Sequence, residues 1–214
     1  MTPRERSVLW IVGLLVATGC AGTDVPGIYS RQDPNHPFIR CTKLTGEAGI
    51  AACQEYMRRP EPKWSWPGSL GQGYSELETL HRTTALHRLG DLLLDGGRDS
   101  EAIHAYQEAR LKYDLLSNPI RLRGRSQVNS GIAVALGRLG RSEEALALAQ
   151  QATRENPDSA RAWATVGVLA NTTGQYQESV DAFERAWALD QTIFHQAPAL
   201  RPIWEASRAG RRLQ

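Results

Sequence analysis

Five histidines, three cysteines and one glycine pair are the residues of this chain that could do chemistry. His36, His81, His87, His104 and His195 fall in no metal-ligand spacing. A zinc or other metal site needs several such donors brought to one point. There is no H-E-x-x-H, no G-x-S-x-G and no Walker loop. Gly71-Gln72-Gly73 opens like a dinucleotide fingerprint, but the third glycine is missing and no strand precedes it. Cys53 has no neighbour that would lower its thiol pKa, so a thiol nucleophile is disfavoured. The expectation is a non-enzymatic protein with no catalytic residue, no metal and no cofactor.

The elements that would position a binding surface are easier to read. From Ala160 to Asp190, Trp163, Val166, Gly167 and Ala170 recur on one helical face. Val180, Phe183, Ala186 and Trp187 do so on a second helix, and Gly174 stands at the turn between them. Gly167 and Ala186 are small where the two helices must approach closely. From Ser126 the same frame holds, with Ile132, Ala133, Leu136, Gly140, Ala145, Ala152 and Pro157. A third copy from Thr83 places Leu86, Leu89, Gly90 and Leu93 on the first helix, Gly97 at the turn, and Ala102, Tyr106 and Ala109 on the second. This pattern resembles the tetratricopeptide repeat (TPR), W-x2-L-G-x2-Y…A-x3-F…P. Departures are Ala170 for its Tyr, Ser179 for its Ala, Gln191 and Asp114 for its Pro, Asn129 for its Trp and Ala149 for its Phe. The resemblance implies an all-α helical-repeat solenoid with frames near 83–116, 126–159 and 160–193. An unrelated antiparallel helical bundle would leave the fold class unchanged.

Local signals refine the frames. Ser142 reads as an N-cap, with Glu143 and Glu144 in the first turn. The extra residues Ser117 to Arg125 carry Asn118-Pro119, an N-cap followed by Pro, and should lengthen the following helix. Ser75-Glu76-Leu77-Glu78 reads as a capping box that opens the array, spanning 75–191. Pro202 to Ala206, ahead of Gly210, reads as a last helix within a capping segment, 194–214. The tail Arg208, Arg211 and Arg212 reads as solvated.

The chain has 214 residues and a formal net charge of +2, which gives no case for a nucleic-acid partner. Among the 25 basic residues only Lys43, Lys63 and Lys112 are lysine. With abundant Ala, that bias reflects genome composition more than phosphate binding.

At the N-terminus, Arg4 and Arg6 precede an apolar run from Val8 to Val16. The run is far shorter than the ~20 residues that span a bilayer and reads as a secretory signal, 1–19. It ends in Val16-Ala17-Thr18-Gly19-Cys20, which resembles the bacterial lipoprotein box. The resemblance implies cleavage before Cys20 and acylation of its sulfur and new amine, which would fix the protein to a membrane. Ala21, in place of the Asp linked to inner-membrane retention, points to the periplasmic face of the outer membrane. The alternative is an ordinary secretory signal that leaves Cys20 a free thiol.

Residues 20–40 read as a tether and 41–74 as a cysteine-containing segment. With Cys20 set aside, Cys41 and Cys53 form an even pair in an exported protein, and an oxidising periplasm favours a disulfide between them. Metal binding is the rival, but two Cys without nearby His do not complete a zinc site. Glu47 to Arg59 could form one amphipathic helix with Ile50, Cys53, Tyr56 and Met57 inward, and Pro60 to Gly73, with Trp64 and Trp66, reads as a loop.

What remains is binding. By resemblance to other TPR arrays, the concave groove presents Thr84, His87, Asp91, Leu94 and Asp95, then Gln127, Ser130, Val134, Gly137 and Arg138, then Arg161, Ala164, Val168, Asn171 and Thr172. The groove would run from acidic (Asp91, Asp95) to basic (Arg138, Arg161), with Leu94 and Val134 as apolar anchors for a protein partner. Short TPR lipoproteins of this layout resemble the pilotins and assembly factors of type IV and Tad (Flp) pili, which serve secretin rings. The other expected class is an adaptor that recruits peptidoglycan synthases or hydrolases.

Overall fold

The computed structural model of the chain describes residues 33–60 and 69–212, without the side chains of 69–75. The signal segment, Cys20, Trp10, Trp64 and Trp66 lie outside the described residues. The described residues form ten helices and no strand. These are α1 (Pro37–Lys43), α2 (Gly46–Arg58), α3 (Ser69–Asp95), α4 (Asp99–Tyr113), α5 (Ile120–Arg138), α6 (Ser142–Glu155), α7 (Ala160–Thr172), α8 (Tyr176–Leu189), α9 (Ile193–Gln196) and α10 (Leu200–Arg208). The pairs α3/α4, α5/α6 and α7/α8 are the three repeats of an all-α helical-repeat solenoid. Each pair packs on the next, with α3, α5 and α7 on one side.

One device makes the turn in each repeat. Gly97, Gly140 and Gly174 have φ of 71°, 79° and 81°, a backbone state that costs a Cβ-bearing residue energy and glycine almost none. The following N–H reaches back to close the helix: Arg98 to the Leu93 carbonyl at 2.8 Å, Arg141 to Leu136 at 3.0 Å, Gln175 to Ala170 at 2.8 Å. This is the Schellman closure. Arg98, Arg141 and Gln175 are also the N-caps of the next helices. One residue therefore ends one helix and begins its partner. That register corrects the expectation for Ser142, which is the first residue of α6 and not its cap.

Volume is exchanged within each pair. A Cβ on Gly90 would lie 2.5 Å from the Tyr106 ring, and one on Gly167 would lie 2.8 Å from the Phe183 ring. The second repeat has Ala133 and Ala149 at the equivalent places, both fully buried. Glycine faces an aromatic ring in the outer repeats, and two alanines meet in the middle one. Tyr106 also presses on Gly131, where a Cβ would meet its ring at 2.5 Å, so the first repeat fills space at the foot of the second. On α8, Ser179, Ala182, Phe183 and Ala186 are buried. Trp187, expected inward, is 36% exposed and lies against Phe194 with centroids 5.5 Å apart.

Both ends of the stack are covered. At the N-terminal end, α1 begins at Pro37, inside the stretch read as a tether, and α1 and α2 pack against α3. Phe38 lies on His81 (4.5 Å) and beside Tyr56 (5.3 Å), and Arg82 donates to the Arg59 carbonyl at 2.7 Å. Cys41 and Cys53 are bonded across this hairpin, with Cα atoms 4.4 Å apart. The helix α3 begins at Ser69, which corrects both the capping box at Ser75 and the loop through Gly73. Glycine inside a helix costs only ~0.5–1 kcal/mol relative to Ala and does not stop it; proline does, and the last one here is Pro67. At the C-terminal end, α10 folds back on α7 and α8, and Trp204 stacks on Phe194 at 5.1 Å. Gly210, with φ of 65°, closes this helix as expected.

Candidate functional site

The inner helices α3, α5 and α7 carry the residues expected to line the groove. On α3, His87 and Asp91 lie one turn apart beside Tyr106 of α4. Asp91 accepts a hydrogen bond from the Tyr106 hydroxyl at 2.8 Å. The guanidinium of Arg161, from α7, lies 3.6 Å from the same oxygen. His87 Nε2 is 3.9 Å from the other carboxylate oxygen, and its Nδ1 is 3.4 Å from the Tyr113 hydroxyl. Burial lowers the His87 pKa below its ordinary value, against the attraction of Asp91 and with the repulsion of Arg161. Burial, and then the Asp91 charge, raise the Tyr106 hydroxyl well above its ordinary range and the Tyr113 hydroxyl to about 12. Neutral imidazole, neutral phenols and a carboxylate that accepts from Tyr106 and faces Arg161 make a polar plug.

Arg138 is likewise occupied. It donates to the Leu94 carbonyl at 2.6 Å and stands 3.4 Å from Asp99. The gradient expected from Asp91 to Arg161 is therefore closed on itself: its acidic and basic ends are each other's partners. Three further expectations fail on burial. Leu94 is 5% exposed under Arg138 and cannot serve as an open anchor. Ser130 is 1% exposed, its hydroxyl donating to the Ser126 carbonyl of its own helix at 2.8 Å. Asn171 is buried beneath the C-terminal segment, donating to Ser207 Oγ at 2.9 Å and the Arg211 carbonyl at 3.0 Å. A last repeat must have its open face covered, and here that cover takes part of the groove. Asp95 is exposed, and Gln127 and Val134 are half-buried, as a lining requires.

Sequence reasoning missed the network around Glu155. Its carboxylate accepts from Arg125 at 3.0 Å, Asn129 at 2.9 Å and Gln151 at 3.0 Å, and Arg125 also reaches Asp114 at 2.7 Å. Asn129, in place of the expected Trp, is the signal that a polar partner waits on the next helix. In the third repeat Trp163 keeps that position and donates to the Pro157 carbonyl at 2.8 Å.

With helix pairs, turn glycines and close-approach positions in place, one comparison is decisive for this part of the chain. Residues 131–192 match the tetratricopeptide repeat family model. The match covers most of the second TPR frame and nearly all of the third. No curated protein matches the sequence. The first frame, from Thr83, shares the turn glycine with both of these frames, the buried Ala102 and Ala109 with the second, and the glycine-to-ring contact, Gly90 on Tyr106, with the third. Among the described residues no group of three or more His, Cys, Asp or Glu could hold a metal, and no helix is long and apolar enough to cross a membrane.

Proposed function

We propose that this chain is a non-enzymatic protein-binding scaffold, held by a lipid on Cys20 at the periplasmic face of the outer membrane. In this reading it assists assembly of a secretion or pilus complex built around a secretin. The observation that carries the scaffold reading is the capped array of three helix pairs, the third within the span matched to the TPR family and the second partly so. Such an array offers extended surface and no enclosed reaction site. The box ending at Gly19-Cys20 supports the anchor.

Two measurements test the proposal. Cys20→Ser should leave the protein unprocessed or released from membranes; correct processing and continued membrane attachment would place the anchor elsewhere. Crosslinking in native membranes should capture a secretin or pilus component. Capture of peptidoglycan synthases or hydrolases instead would move the scaffold to the cell wall.

A further inference from the structure

The outer side of the array carries arginines without a carboxylate partner, whereas Arg138 and Arg161 on the inner side are engaged. Between α4 and α6, with α5 behind, runs a cleft of about 500 Å³. Its floor carries two accessible apolar side chains, half-buried Ile103 of α4 and Leu148 of α6, above the buried Ile132 and Leu136 of α5. Its rim carries three arginines, Arg110, Arg141 and Arg154, against the single carboxylate of Glu144. That carboxylate is held by Arg141, whose Nε lies 2.9 Å from it. Arg110 and Arg154 pair with no carboxylate among the described residues.

A second cleft of about 600 Å³ follows between α6 and α8 and shares Arg154. There Arg154 and Arg185 face Glu178 and Asp181, so that cleft has no net positive charge even with Arg154 counted in it. Net positive charge beside an apolar floor is thus a property of the first cleft. On the opposite side of the array, Asp91 and Arg161 neutralise each other and Arg138 is engaged.

An apolar floor is covered favourably by apolar side chains, and two unneutralised guanidinium groups at its edge select carboxylates through bidentate, charge-assisted hydrogen bonds. Both demands are met by one helix with an apolar ridge flanked by Glu or Asp. We infer that the outer cleft between α4 and α6 docks an acidic amphipathic segment of a partner protein. Its apolar side chains would rest on the half-buried Ile103 and Leu148, and its carboxylates on Arg110 and Arg154. The inference rests on the scaffold reading and names the face and chemistry of the partner.

The probe is a helical peptide of about 18 residues, long enough to hold a helix, with leucines on one face flanked by glutamates. A second peptide has lysine in place of each glutamate. The full chain should bind the glutamate peptide and not the lysine peptide. Arg110→Glu with Arg154→Glu should weaken binding about tenfold, and added salt should weaken it in the wild type. The milder Arg110→Gln with Arg154→Gln should act in the same direction should the reversal disturb folding. Arg161→Glu on the other face should change nothing. Undiminished binding by a double variant with a wild-type melt, or equal binding of the lysine peptide, would overturn the inference. So would vesicles of anionic phospholipid that bind the cleft in preference to the peptide.

A photo-crosslinker at Gln107, on the cleft rim, separates this inference from the scaffold reading. Crosslinks from Gln107 in native membranes that map to an acidic amphipathic segment of a partner protein support the cleft. Crosslinks only from Gln127, on the concave side, overturn the cleft and leave the scaffold intact. Protein crosslinks from neither face would overturn the scaffold reading itself.

Discussion

The guanidinium of Arg161 lies 3.6 Å from the carboxylate of Asp91, joining the third repeat to the first across the inner helix of the second. Nearest-neighbour stacking is the ordinary source of stability in a solenoid. This contact adds a link between non-neighbours. Asp91→Asn keeps an acceptor for Tyr106 while removing the charge, and Arg161→Gln removes the other partner. Since Arg161 is 55% exposed, a double-mutant cycle in urea should give a coupling of about 0.2–1 kcal/mol that shrinks in high salt. Zero coupling at low salt would show that the pair does not hold the inner face together.

His87 gives the protein an acid-sensitive fold. The ring faces Tyr106, Tyr113, Asp91 and Arg161, and burial holds its folded pKa below 6.5. The unfolded chain takes up the proton first as pH falls, so stability declines from about pH 6.5 down to the lower folded pKa. Above that window the contribution is complete. His36, lowered by its own burial and by Arg59, acts in the same direction. His87→Gln should reduce the drop in melting temperature between about pH 7.5 and pH 5.5, with the slope from His36 remaining. An unchanged drop would contradict the assignment.

Gly167→Ala should destabilise by about 1–3 kcal/mol, because the new methyl would fall 2.8 Å from the Phe183 ring. Gly167→Ala combined with Phe183→Ala recreates the Ala133–Ala149 pairing of the second repeat. The double variant should therefore cost less than the sum of the two single changes, as read from denaturation midpoints. Strict additivity would mean that the exchange of volume between the two positions is not what fits these helices together.

The bond between Cys41 and Cys53 closes a short loop across the N-terminal hairpin. In the chain-entropy account, a loop of this size contributes about 3 kcal/mol. Cys41→Ala with Cys53→Ala should lower the melting temperature, and mass spectrometry of unreduced peptides should find the pair joined. Two alkylatable thiols in the oxidised protein would remove the claim.

Turn glycines, small close-approach residues and apolar periodicity were legible because each is a local signal repeated at one spacing. Gly97, Gly140 and Gly174 fixed the three frames, and the longer helix before Ser126 followed from Asn118-Pro119, although Pro119 and not Asn118 is its cap. The groove was not legible, because exposure at Leu94, Ser130 and Asn171 depends on what other elements do. Asn171 is covered by a helix that begins well after it in the chain, and Arg138 reaches back to the first repeat. Charges were legible singly but not in pairs. Nothing in the spacing of Asp91 and Arg161 tells that the array curves enough to bring them together. Helix starts failed at Ser142 and Ser75, where capping residue types sit one or more positions inside their helices.

The shared residue at each turn sets where this chain can grow. Arg98, Arg141 and Gln175 each close one helix and open the next, so a single added residue there would break two hydrogen-bonded ends at once. The connection from Asp114 to Pro119 serves no such double duty, and it is where the longest departure from the repeat period falls. A reporter sequence, protease site or affinity tag placed after Ser117 should be accepted by the fold. The same insert after Gly140 should divide the array into parts that no longer stack.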